Sequence, residues 1–115
     1  MIMNYLKIAY TMIQVHSLFS GTTLTSMEEV FTTLFEKPGL KIERITSHGQ
    51  ASPDDFWYDQ PSDEWVILMR GTATLEIETQ GALTMYPGDH LILPSHTRHR
   101  VLKTSPDALW LAVHG

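Results

Sequence analysis

The sequence predicts a mainly β protein folded as a single antiparallel sandwich or barrel. Three observations carry this. From Leu40 onward, short apolar or alternating runs recur at regular spacing, the pattern of half-buried strands. Residues that turn a chain separate them: Arg70-Gly71, Gln80-Gly81, Pro87-Gly88-Asp89 and Ser105-Pro106-Asp107. A chain of 115 residues, 43% hydrophobic and 18% charged, has the size and composition of one soluble domain with one core.

Two helices are expected ahead of the strands. In residues 1–15, Asn4, Lys7, Thr11 and Gln14 gather into a narrow polar stripe on an otherwise apolar cylinder. Such a helix would pack on the body or on a partner subunit. Alternatively the segment is an upstream extension, since Met12 could also start translation. Polar residues interrupt it too often for a secretory signal. Ser26-Met27-Glu28-Glu29 has the form of a capping box. The helix it opens would place Met27, Val30, Phe31, Leu34 and Phe35 on one face as core packing and stop at Pro38-Gly39. Residues 1–39 are therefore expected to be a helical segment packed on a barrel of residues 40–115.

From Leu40 the period is two. Leu40 to Glu43 alternates, and Arg44-Ile45 breaks phase as a bulge would. Residues 48–63 are irregular, with Phe56-Trp57-Tyr58 in their middle. Trp65 to Met69 is a continuous apolar strand opened by Glu64, and the run from Thr72 to Glu78 turns Ala73, Leu75 and Ile77 inward. Ala82 to Tyr86 returns by a hairpin. Leu91–Leu93, His99–Lys103 and Ala108–His114 complete the strands.

Composition narrows the function. Net charge is −5 with no basic cluster, which disfavours binding to a phosphate backbone, so no nucleic-acid partner is expected. No apolar run reaches the ~20 residues of a membrane helix, so a cytoplasmic protein without a membrane partner is expected. With no cysteine, any metal must be held by nitrogen and oxygen donors.

The stretch from Gly88 to His99 draws attention: a turn, a short buried strand, a second turn at Pro94, then His96 and His99 entering another strand. Glu64 is their expected partner. These segments resemble the paired motifs of the cupin superfamily, small jelly-roll barrels. The second motif of that family runs Gly, five residues, Pro, one residue, Gly, two residues, His. Gly88, Pro94 and His99 fit it, and His96 stands where the last glycine is expected. The first motif ends in Glu, six residues, Gly, matched by Glu64 and Gly71. The resemblance covers roughly residues 40–114. It implies a double-stranded β-helix with Glu64 and His99 as metal ligands inside it.

One departure is plain. The His-x-His that normally precedes that glutamate is replaced by Tyr58 and Gln60, or by Trp57 and Asp59 under the longer spacing. With His96 added, Glu64, His96 and His99 would form a two-histidine, one-carboxylate set for a divalent transition metal (Fe, Mn, Ni or Zn), a type that leaves open positions. Asp59 or Gln60 could add an oxygen.

Each residue also has a plainer role open to it. Glu64 could pair with Arg98 or Arg100, and His99 could be a hydrogen-bonded core histidine. His114, in phase with Trp110 and Ala112, could reach the cavity or sit at the surface. Trp57 and Tyr58 could line a pocket for a flat or sugar-like ligand, or cap one barrel end. Three functions follow: a small metalloenzyme; a module binding a small polar ligand without metal, through His99, Tyr58 and Gln60; or an assembly role, with the N-terminal helix mediating homodimer contacts.

Overall fold

The structure, a computed structural model, describes residues 12–21, 29–49 and 51–115. Its strands are β1 (Val30–Lys37), β2 (Leu40–Thr46), β3 (Glu64–Arg70), β4 (Ala73–Ile77), β5 (Gly81–Met85), β6 (His90–Leu93), β7 (His99–Thr104) and β8 (Leu109–His114). One sheet has the order β1-β2-β8-β3-β6 and the other β5-β4-β7. Every pairing is antiparallel. The free side of β7 is taken by the irregular segment before β3. There Ser52 N–H donates to the Val101 carbonyl at 2.8 Å, and Tyr58 and His99 exchange backbone hydrogen bonds of 2.7 and 3.1 Å. That segment thus supplies a reduced fourth strand, which fixes Tyr58 beside His99.

Alternation sets the core. Val66 and Leu68 on β3, Ala73 and Leu75 on β4, and Trp110 and Ala112 on β8 point into one cluster between the sheets, joined by Ile45 and Met85. Leu68 is wholly excluded from solvent, a burial worth about 2–3 kcal/mol.

The expected helices are absent from the described residues. Residues 12–17 have no regular structure, residues 18–21 form a turn, and residues 1–11 lie outside the described part. The turn is held by Arg44, whose Nη1 donates to the carbonyls of Leu18 (3.0 Å) and Ser20 (2.7 Å). Residues 30–37 form a strand, not a helix. The run Val30-Phe31-Thr32-Thr33 is β-branched and aromatic, which suits a pleated surface. Pro38-Gly39, expected to stop a helix, instead turns a hairpin with Gly39 at φ 80°, bringing Lys37 opposite Leu40. Of the capping residues, Ser26 to Glu28 lie outside the described part; Glu29 accepts from Ser47 Oγ at 3.3 Å. The expected bulge at Arg44-Ile45 is also displaced. β2 is continuous, and the irregularity falls on β1 between Thr33 and Phe35. Among the described residues, no helix is long and apolar enough to cross a membrane.

Candidate functional site

A cavity of about 60 Å³ lies between the sheets, its wall including Glu43, Tyr58, Glu64, His99, Trp110 and His114. Register explains how these meet. Glu64 opens β3 directly opposite His114 on β8, and Glu43 on β2 is opposite Ala112, two residues before His114. Three polar side chains of the larger sheet therefore share its inner face. His99, the first residue of β7, faces them from the other sheet.

The four titratable groups form two pairs. His114 Nε2 lies 2.8 Å from Glu43 Oε1, a hydrogen bond. His99 Nε2 lies 3.9 Å from Glu64 Oε1, too long for one. The tautomer of a neutral His99 follows from its other nitrogen. Nδ1 is 2.8 Å from the Thr97 carbonyl, and a carbonyl only accepts, so Nδ1 carries the proton. Nε2 then presents a lone pair toward Glu64.

Glu64 Oε1 is buried and has no hydrogen-bond partner among the described residues. Burial holds the Glu64 carboxyl above the ordinary carboxylate range; the imidazoles of His114 and His99 pull it down, and Glu43 pushes it further up. Glu29, at the cavity wall, is also raised by burial, against the hydrogen bond from Ser47. The Tyr58 phenol is raised by burial, then by the negative potential of Glu29, Glu64 and Glu43. Its ring stacks on His99 with centroids 5.3 Å apart. Among the described residues, no lysine or arginine lines this cavity.

Tyr58, Gln60, Glu64, His99 and His114 all reach the cavity wall; His96 and Trp57 do not. The backbone of His96 sits in the left-handed region at φ 60°, a conformation suited to glycine. Its ring turns outward to Asp59, with Nδ1 2.7 Å from Oδ1 and the side chain 67% exposed. Trp57 lies under the guanidinium of Arg100, 4.5 Å from its ring centroid. Arg98 and Arg100 pair with Glu78 and Glu76, so Glu64 has neither as its counter-ion.

These placements bear on a metal. The set Glu64, His96 and His99 is not assembled, because the turn carries His96 away. Among the described residues, no three His, Asp or Glu side chains are grouped to hold an ion. Glu64 and His99 alone have a ligand-like arrangement: an unpartnered carboxylate oxygen beside a lone pair fixed by a carbonyl.

Sequence reasoning missed Glu43 and Glu29. A signal existed for Glu43. Reading Leu40 and Ile42 as the inner face forced a phase break at Ile45. In an unbroken strand Ile45 and Glu43 share a face, and that face is the inner one.

No family model and no curated protein matches the sequence. Solved structures do. A candidate mannose-6-phosphate isomerase from Ralstonia eutropha JMP134 is 47% identical, over 89% of this chain and 97% of that one, with a TM-score of 0.84. An RmlC-like cupin from Methanocaldococcus jannaschii, with a double-stranded β-helix fold, is 20% identical over 91% and 93% of the two chains, with a TM-score of 0.68. An RmlC-like cupin from Desulfovibrio desulfuricans is 17% identical over 90% and 97%, with a TM-score of 0.69. The last two speak to the fold alone.

Proposed function

The chain belongs to the cupin superfamily, and from that premise we propose that its barrel binds a small, polar, unphosphorylated molecule between Glu64 and His99. The observation that carries this is the unpartnered Glu64 Oε1, 3.9 Å from His99 Nε2. A buried carboxylate oxygen without a partner is costly. A ligand hydroxyl placed there can donate to Glu64 while a second polar group meets His99.

Size and charge restrict the ligand. About 60 Å³ holds on the order of five water-sized atoms, so a larger ligand inserts only one end. The rest would lie in an outer groove of about 490 Å³ that shares Glu43, Gln60 and His114 with the cavity. Three carboxylates and, among the described residues, no lysine or arginine line the inner chamber, a poor environment for a phosphate; of Lys37 and Lys41 in the outer groove, Lys41 is already paired with Glu43 at 3.4 Å. The 47%-identical relative carries the name of a mannose-6-phosphate isomerase. For this chain the chemistry of that name, proton transfer at a carbon beside a carbonyl, suits the pair, but the phosphate does not suit the inner chamber. A carboxyl raised toward neutrality is suited to take or give a proton, and His99, held by Thr97, provides the complementary base or acid.

A second reading, a divalent metal on Glu64 and His99 completed by ligand atoms, is favoured by the lone pair that Thr97 fixes. One titration series separates the two. Calorimetry with three-carbon hydroxy-aldehydes and hydroxy-ketones and their phosphate esters, with and without Mn, Fe, Ni or Zn, is expected to show metal-independent binding of the unphosphorylated members. Binding is expected to fall at least tenfold in Glu64→Gln and in His99→Ala. Preference for the phosphate esters overturns the proposal, and binding only in the presence of metal establishes the second reading.

A further inference from the structure

Two hydrogen-bond acceptors face each other across the cavity. Glu64 Oε1 has no partner among the described residues, in a side chain that belongs to a residue only 7% exposed. It stands 3.9 Å from His99 Nε2. The Thr97 carbonyl, 2.8 Å from Nδ1, keeps the proton of a neutral imidazole on that far nitrogen, so Nε2 can only accept. With Glu64 ionised, neither atom has a hydrogen for the other. Two buried acceptors side by side are costly until a donor is set between them.

That donor needs at least two hydrogens on one atom. A hydroxyl has one, so it serves Glu64 or His99 and leaves the other to a second group. A single atom at the usual ~2.9 Å from both acceptors fits across the 3.9 Å gap. A nitrogen carrying two or three hydrogens donates to both at once.

The charge of the wall selects an ammonium over water. Glu29, Glu43 and Glu64 all line the cavity, with no lysine or arginine among the described residues of its wall. Glu43 is met by His114 at 2.8 Å and by Lys41 at 3.4 Å, but Glu29 is met by the neutral hydroxyl of Ser47. The Tyr58 phenol, raised first by burial and then by these three carboxylates, feels the same negative field. Buried carboxylates short of counter-ions are costly, and a cation entering here gains what an anion would lose.

We infer that the cavity holds a primary ammonium group of its ligand, the one nitrogen donating to both Glu64 Oε1 and His99 Nε2. This rests on the ligand reading above and narrows it to small primary amines that also carry hydroxyl or carbonyl groups. About 60 Å³ admits the nitrogen and the first carbons behind it. The remainder extends past Gln60 and His114, which the cavity shares with the outer groove. A divalent metal would bridge the same lone pairs only with further donors taken from the ligand, since no three His, Asp or Glu side chains among the described residues are grouped to hold one.

Calorimetry with two three-carbon compounds that differ at one group tests this: 2-amino-1,3-propanediol and glycerol. Both are titrated at pH 7 in EDTA, where an alkyl amine is an ammonium. The amine is expected to bind at least tenfold more tightly, and its advantage is expected to disappear in Glu64→Gln. An advantage that survives that substitution intact places the ammonium elsewhere and overturns the assignment. Glycerol binding as tightly as the amine overturns this inference and leaves the ligand reading standing. So does an amine that fails where the hydroxy-ketones of the preceding series bind. Failure of every compound overturns both. An advantage seen only after metal is restored puts the nitrogen on the metal and overturns the direct contact.

Discussion

His96 and His99 are separated by two residues and end in opposite environments. His99 is 7% exposed, stacked on Tyr58 and fixed by Thr97. His96 stands in solvent against Asp59. What divides them is backbone: at φ 60° His96 turns the chain, and its side chain departs from the barrel. A spacing rule locates a position in the chain, but not the direction in which its side chain leaves. The glycine that cupins are expected to carry at this position now has a physical reason, since the left-handed region costs a β-carbon about 1–2 kcal/mol.

The sharpest test of that contrast uses another left-handed residue. Gly71, at φ 83°, closes the first motif against the turn before β8, and an added β-carbon would meet Ala108 Cα at 2.8 Å. Gly71→Ala is expected to cost more than about 3 kcal/mol, read as a loss of melting temperature or of soluble protein. A cost under 1 kcal/mol would mean that the turn yields and that left-handed turns here are soft.

An intermediate effect is expected inside the cavity. Because the folded state raises the Glu64 carboxyl, it binds that proton more tightly than the unfolded chain does. The group therefore costs nothing below its ordinary value of 4.5, and stability is lost as pH rises through the raised value. Glu64→Gln should match the wild type at low pH and gain on it above that window, by on the order of 1 kcal/mol, or about 4 °C. Melting temperatures from pH 4 to 8 check this; a Gln variant that loses ground with rising pH reverses the sign.

The smallest effect is expected at the surface. His96→Gly removes backbone strain together with one exposed hydrogen bond, and should shift stability by less than about 1 kcal/mol, on the stabilising side. Ligand binding should be unchanged, against the loss expected for His99→Ala. Equal losses at both positions would erase the distinction between the two histidines.

The strands from Glu64 to His114 were legible because each is a short apolar or alternating run bounded by turn residues. The inward set Ala73, Leu75 and Ile77 was read correctly, as their burial shows. Residues 30–37 were misread because Val30, Phe31, Leu34 and Phe35 satisfy a helical stripe, while the pairing with β2 is a long-range fact. Within the cavity, Glu64, His99, Tyr58, Gln60 and His114 came from motif spacing or phase. Glu43 was passed over because the expected phase break at Arg44-Ile45 hid the face it shares with Ile45. Its hydrogen-bond partner, His114, is 71 residues away in sequence, and no local pattern announces such a pair.

Glu43, Glu64, His99 and His114 come from β2, β3, β7 and β8, two distant stretches of the chain and both sheets. No fragment holding half the strands can reproduce them. Occupancy is therefore thermodynamically tied to completion of the barrel, and any molecule that settles there must raise the melting point of the entire domain. Heat alone can thus serve as the assay that searches a chemical library for it.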